Sequence, residues 1–481
     1  MVFSSLLFVF AFLTICYALY ALMPGIRSRN VLLLVASLIF YAWGGPSLVL
    51  LLLGMTFICY LGGLLIEKKP TQKKLTLTIT LVISIGLLAV YKYTGFLLSN
   101  FKLIFGVPKV IPNIALPIGI SFYTFQLISY VIDVYRGEVA AQKKYHLLLL
   151  YASLFHQCIA GPIIRYSDVN EEIINRTVTR EGMARGISRF AVGLSKKALL
   201  ANGCASMVSA LIEKPEDLTK VSGASILLAM LAYMLEIYLD FSAYSDMAIG
   251  MGEMIGFHYK ENFNYPYVAH SVTDFWRRWH ISLSGFFRDY VYIPLGGNRV
   301  SIPRQIFNLF AVWALTGLWH GASWNFVLWG LYYFVFLIFE KFVIRLKKVP
   351  NGALTRIPRT IYTLTVVFFG WLLFYWTDMS SLIVAIKGIF TLNGNNFWDM
   401  TAQSQLLNNI FFLIVSIIAC TPFIPFIANK FENLRNSKKR LATVAVGVYD
   451  IITAIIPVVL LFASTLALVG DSYNPFLYFR F

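Results

Sequence analysis

Charge is scarce in this sequence. Asp, Glu, Lys and Arg make up 13% of the 481 residues, against 58% hydrophobic residues and a mean hydropathy of +0.70. No soluble core absorbs that much apolar surface, which excludes a set of soluble domains and leaves one membrane-embedded domain over residues 1–481. Acids are scarcer still: 23 Asp and Glu stand against 40 Lys and Arg, for a net charge of +17. The bases fall in short clusters between apolar runs, not on a basic face with stacking aromatics, which excludes a nucleic-acid module. Such clusters mark loops kept on the cytoplasmic side of a membrane. The five cysteines (Cys16, Cys59, Cys158, Cys204, Cys420) are single, with no C-x-x-C pair. That spacing offers neither a disulfide framework nor a metal centre. Internal repeats and low-complexity tracts are also missing, which counts against a secondary transporter built on repeats.

What is present is a succession of apolar runs. Twelve stretches qualify as candidate spans: 2–22, 31–43, 47–66, 75–91, 116–134, 147–164, 226–255, 306–319, 324–344, 361–376, 406–427 and 441–468. At about 20 residues per crossing they predict roughly ten to twelve membrane helices. The first lacks a basic leader and is followed by Arg27 and Arg29, so it reads as a retained span with its N-terminus outside. Gly44, Gly45 and Pro46 predict a hairpin between the second and third runs. Basic clusters at Arg27/Arg29, Lys68 to Lys74, Arg136 to Lys144, Arg345 to Lys348 and Lys430 to Arg440 set the cytoplasmic side. Residues 165–197 break the alternation: mixed in charge and punctuated by Gly182, Gly186 and Gly193, they predict surface-lying amphipathic helices. Irregular or re-entrant backbone in this middle region would line a cavity, the one place a membrane tolerates it.

Three clusters carry chemistry. The stretch TDFWRRWHISLSGFFRDYVYIPLGGN (273–298) crowds Trp276, Trp279, Arg277, Arg278 and Arg288 around His280. It reads either as an interfacial helix with an aromatic belt or as a site where guanidiniums grip an anionic group bidentately. The stretch LTGLWHGASWN (315–325) sets His320 between Trp319 and Gly321 in apolar surroundings, with Asn325 just beyond. An ionisable side chain there is a functional candidate, because an intramembrane polar group is costly unless it faces a cavity or a partner. Burial favours the neutral imidazole, the state a general base requires. In MLEIYLDFSAYSDMAIG, Glu236 and Asp240 share a helix face, with Tyr244 and Asp246 beyond. These acids, with Asp274, serve either a polar cavity or ion pairs with Arg277 or Arg278. His146, His156, His258 and His270 carry no assignment.

Together, WRRWHISLS with His280, GLWHGASWN with His320, and their separation of 40 residues resemble the membrane-bound O-acyltransferase family. The segments PIGISFYTFQLISYVIDVYRG, IAGPIIRY, LDFSAYSDMAIG, FNYPY, FRDYVYIPLGG and NPFLYFRF make the likeness strongest to its bacterial alginate O-acetyltransferase branch, over most of the chain. The resemblance implies an all-α ring of membrane helices around a funnel, with re-entrant and interfacial helices, in the bacterial plasma membrane among its lipids. It implies His320 as catalytic base and His280 as the second catalytic histidine, with Arg277, Arg278, Trp276, Trp279, Trp319 and Asn325 about the substrates. No tightly bound cofactor is implied. Acetyl-CoA is the expected acyl donor, a cell-surface polysaccharide the expected acceptor, and an extracytoplasmic esterase-like protein the expected partner. A sister branch moves D-alanine from a carrier-protein thioester towards teichoic acid. A transporter or flippase, or a non-catalytic scaffold, stands outside the enzyme class.

Overall fold

A computed structural model describes residues 2–107, 112, 114–159, 161–212, 218–344, 352–435, 440–470 and 476. The basic cluster Arg345, Lys347 and Lys348 and, apart from Phe476, the closing NPFLYFRF run lie outside the described residues. No strand occurs among the described residues. In chain order the α-helices are α1 (Thr14–Leu22, continuing a wider-wound turn from Leu7), α2 (Ile26–Ala42), α3 (Pro46–Lys68), α4 (Lys73–Phe105), α5 (Ile120–Arg136), α6 (Tyr145–Ser153), α7 (Tyr166–Ile174), α8 (Arg180–Ser195) and α9 (Asn202–Ile212). There follow α10 (Gly223–Met254), α11 (Val272–Arg278), α12 (Ile281–Phe287), α13 (Ile302–His320), α14 (Trp324–Ile338), α15 (Ala353–Tyr375), α16 (Met379–Ile389), α17 (Met400–Ala419), α18 (Phe423–Arg435) and α19 (Arg440–Gly470).

This is an all-α polytopic membrane protein. Among the described residues seven helices are long and apolar enough to cross a bilayer, within residues 46–68, 70–105, 223–254, 324–344, 354–375, 400–419 and 440–470. The expected ten to twelve therefore exceeds the simple spans. Helices α2 and α5 have 17 residues each, short of a full crossing. Helix α13 opens on Arg304 and Gln305 and does not qualify. The hairpin at Gly44–Pro46 forms: α2 ends at Ala42, Gly45 takes φ +154°, and Pro46 opens α3 at the one position where its missing N–H costs nothing.

The run 147–164 is helical only to Ser153 and then continues as buried irregular backbone. Its polar groups find side-chain partners: the Phe155 N–H donates to Ser37 Oγ (3.1 Å), the Ile163 N–H to Ser282 Oγ (2.9 Å), and Tyr151 Oη donates to the Ile164 carbonyl (2.8 Å). Residues 165–197 form α7 and α8, but α8 does not merely lie on a surface. Its glycines let it close onto α10: a Cβ on Gly186 would sit 2.6 Å from the Gly250 carbonyl oxygen, and one on Gly193 2.8 Å from that of Ala243. The polar side of α8 completes the seam, with Arg185 on Glu253 (2.7 Å), Arg189 and Lys196 on Asp246 (3.0 and 2.7 Å), and Lys197 on Asp240 (2.6 Å). Asp240, Asp246 and Glu253 of α10 thus pair with α8 and the turn after it, not with Arg277 or Arg278. Sequence order could not show this, because the partners lie 43 to 68 residues away.

The Lys197–Asp240 pair is almost wholly buried. Removing one partner strands a charge in a low-dielectric interior, so Asp240→Asn is expected to destabilise by about 3–5 kcal/mol, while Lys197→Met with Asp240→Leu recovers most of the loss. Thermal unfolding in detergent measures both; equal melting temperatures for Asp240→Asn and wild type would refute the assignment.

Candidate active site

Two cavities lie near helix α5. At its N-terminal end a cavity of about 120 Å³ is lined by Lys92, Pro117, Gly119, Ser121, Trp319 and His320, among others. At its C-terminal end Arg136 donates to the Asp289 carbonyl oxygen (2.8 Å), beside a larger pocket of about 440 Å³. The walls of that pocket carry Arg165, Lys260, Arg277 and Arg288 against Asp168 and Glu261, an excess of positive charge. By the basic-cluster rule its mouth is on the side of Lys68 to Lys74 and Arg136. Asp289 braces the wall, accepting from Arg165 (2.6 Å) and from Arg288 (2.6 and 3.0 Å). Burial would raise the Asp289 carboxyl, but hydrogen bonds from Arg288 and Arg165 outweigh it and hold it below the ordinary carboxylate range. It therefore stays ionised at neutral pH. Arg277 is exposed on the pocket wall and makes no ion pair among the described residues, whereas Asp168 and Glu261 are taken up by Lys260 (2.5 Å) and Arg189 (2.6 Å).

His280 lies between the cavities. Its neighbours Ile281 and Ser282 line the basic pocket, while its ring centroid is 5.7 Å from that of Trp319, a wall of the smaller cavity. Its backbone has φ +45°, a left-handed conformation uncommon for any residue but glycine. The Ile281 N–H donates to the Asn262 carbonyl (2.9 Å). Buried Asn262 also fixes the imidazole. The Ser282 backbone N–H, which can only donate, meets Asn262 Oδ1 at 3.2 Å, so that atom is the oxygen and His280 Nδ1 (3.2 Å) must be the donor to it. The lone pair is then on Nε2, which is buried with no hydrogen-bond partner among the described residues. Asn262 escaped the sequence reading although it immediately precedes FNYPY; a lone asparagine 18 positions from the histidine carries no spacing signal.

His320 ends α13, buried within ring-centroid distances of 5.0 Å from Trp319, 4.8 Å from Trp329 and 5.4 Å from Phe374. Trp319 therefore touches both histidine rings. Helix α13 is pressed against α14 through Gly317 and Gly330, where a Cβ on either would run into the Phe326 or Trp313 carbonyl respectively.

The remaining sequence candidates divide. Trp276 and Arg277 line the basic pocket and Trp319 the smaller cavity. Arg278 turns back to Asp274 (3.0 Å) and the Asn264 carbonyl (3.3 Å). Trp279 is buried among Tyr238, Phe263, Phe275 and Trp371. Asn325 ties the start of α14 to the end of α15, donating to the Phe374 carbonyl at 3.3 Å. These three face neither cavity. Lys92, by contrast, is a cavity residue that the reading missed, because one lysine at the end of an apolar run resembles a snorkelling charge.

One histidine held by an amide between a cationic pocket and a second cavity, and one buried at a helix end in the wall of that cavity, suit acyl transfer. The family model of MBOAT, the membrane-bound O-acyltransferase family, matches residues 84–385. The chain is 36% identical to the probable alginate O-acetylase AlgI of Azotobacter vinelandii over 100% of both chains. It is 40% identical to the probable alginate O-acetylase AlgI of Pseudomonas aeruginosa over 78% of this chain and 72% of that one. It is 32% identical to the peptidoglycan O-acetyltransferase of Helicobacter pylori over 85% of this chain and 84% of the other. The chain belongs to the membrane-bound O-acyltransferase family and is a multi-pass membrane O-acyltransferase. Within that family it falls in the alginate O-acetyltransferase branch.

Proposed function

We propose that the protein moves an acetyl group from acetyl-CoA, bound from the cytoplasmic side, to a hydroxyl of an extracytoplasmic acceptor, with His320 as general base. The observation that supports this reading most is that His280 stands between a cationic pocket and a second cavity, which His320 lines. Phosphates of the donor suit the cationic pocket, where Arg277 offers planar, bidentate donors not already paired to a carboxylate. The acetyl thioester then reaches inward past His280. His320 takes the proton of the acceptor hydroxyl as its oxygen attacks the acetyl carbonyl; the tetrahedral adduct collapses, the C–S bond breaks, and the thiolate takes the proton back from His320. The lone pair on His280 Nε2 accepts a hydrogen bond from the acceptor and orients it. Exclusion of water by the Trp319, Trp329 and Phe374 rings protects the thioester from hydrolysis. The final acceptor is a cell-surface polysaccharide, reached through an esterase-like partner outside the membrane.

Arg277→Gln is expected to raise the KM for acetyl-CoA about tenfold or more with little change in kcat, the signature of a lost charged hydrogen bond to a part of the donor far from the reacting carbon. Initial rates of label transfer from acetyl-labelled acetyl-CoA in membrane vesicles measure it. An unchanged KM removes Arg277 from the donor site. Transfer from a D-alanyl carrier-protein thioester but not from acetyl-CoA would replace the acetyl reading by the D-alanyl one.

A further inference from the structure

Lys92 is a half-buried lysine on α4, one residue past the apolar run 75–91. It stands nineteen residues past Lys73 at the start of α4, about 28 Å along the axis at 1.5 Å per residue. That is too far from the basic end for its charge to reach water there. Its Nζ donates to the Trp319 carbonyl and to Ser121 Oγ (3.2 Å), and lies 5.8 Å from the Trp319 ring centroid. Among the described residues Lys92 makes no ion pair.

One explanation is that Lys92 merely satisfies the exposed carbonyls at the end of α13. The neighbouring residue shows that this task needs no charge: Tyr93 Oη donates to the Leu318 carbonyl at 2.7 Å. A phenol caps one carbonyl and a lysine the next. A cation in that place has a use if an anion forms beside it. Trp319 and Ser121 accept two of the three ammonium N–H bonds, and Lys92 lines the same small cavity as His320.

We propose that Lys92 stabilises the oxyanion formed when the acceptor hydroxyl adds to the acyl carbonyl at His320. The inference rests on the reading of His320 as base. As the acceptor oxygen bonds to the acyl carbon, the C=O π electrons move onto the carbonyl oxygen and the proton passes to His320. The Lys92 ammonium donates its third N–H to that oxygen, and its charge balances the new negative one. When the C–S bond breaks the C=O re-forms and the ammonium is unchanged.

The test compares Lys92→Met, Lys92→Gln and Lys92→Arg with His320→Ala, in full-length protein in vesicles. Folded enzyme is counted by binding of a non-transferable thioether analogue of acetyl-CoA, whose phosphates engage the distant cationic pocket. Gln keeps an N–H donor for the helix end without the charge; Arg keeps the charge. Met and Gln are each expected to lower kcat per folded enzyme about 100-fold with donor and acceptor KM nearly unchanged, and Arg to restore it to within about tenfold of wild type. Gln at wild-type kcat would make Lys92 a helix cap only. A rise in acceptor KM with kcat preserved would make it a binding group, and either result overturns the proposal. If His320→Ala retains transfer, the base assignment fails instead, independently of what the Lys92 variants do.

Discussion

Replacing His320 by alanine is expected to lower acetyl transfer by at least about 100-fold and by as much as about 10,000-fold, the range a positioned general base contributes. The substitution leaves a space beside Trp319, Trp329 and Phe374 at the end of α13, where it removes ring contacts but no helix hydrogen bond. The protein should therefore accumulate and bind the thioether analogue as wild type does. The measurement is label transferred from acetyl-labelled acetyl-CoA to hydroxyl acceptors in vesicles at matched expression, with the acceptor partner supplied. Because the base acts only as the hydroxyl attacks, the loss should fall on kcat and leave the donor KM in place. Transfer at the wild-type rate would remove His320 from the chemistry.

Gly330→Val is expected to produce the largest structural effect. At Gly330 and Gly317 the α13 and α14 backbones touch without room for a Cβ, and α13 is the helix that ends in His320. A valine must push the helices apart against backbone, which cannot yield as a flexible side chain does, so a loss of about 3 kcal/mol or more is expected. Most of the protein should fail to accumulate, and what folds should transfer acetyl poorly because the end of α13 is displaced. Gly86→Val is the matched control: Gly86 lies inside α4 with nothing within 4 Å of a Cβ, and its substitution should be tolerated. Detergent-solubilised yield and melting temperature separate the two. Equal behaviour would mean that the α13–α14 contact does not govern stability.

Much of the architecture was legible because the membrane makes it so. Apolar runs must be helical where no water can satisfy a backbone, so composition alone pointed to helices. The Gly44–Pro46 break was readable from the restricted dihedrals of two residue types. Where the expectation and the structure part, the cause is tertiary. The run 147–164 has the composition of a span, yet its second half is irregular because Ser37 and Ser282, remote in sequence, satisfy its N–H groups. Residues 165–197 look like surface helices, yet Gly186, Gly193 and the acids of α10 draw α8 into the fold.

The site shows the same division. His280 and His320 stood out because imidazoles in aromatic, apolar surroundings need a reason to be there, and both lie beside Trp319. Adjacent arginines that read alike were separated by the fold, Arg277 onto the pocket and Arg278 onto Asp274, since successive helical residues point about 100° apart. The sequence by itself determined a polytopic helical membrane protein, its family motifs and its two histidines, because hydropathy and rare intramembrane polar residues are local properties. Only the tertiary structure decided that Asn262 sets the tautomer of His280, that Lys92 reaches the cavity of His320, and that α10 pairs its acids with α8. Hydrogen bonds and charge pairs are made by whichever groups the packing brings within about 3 Å, and separation along the chain says nothing about that distance.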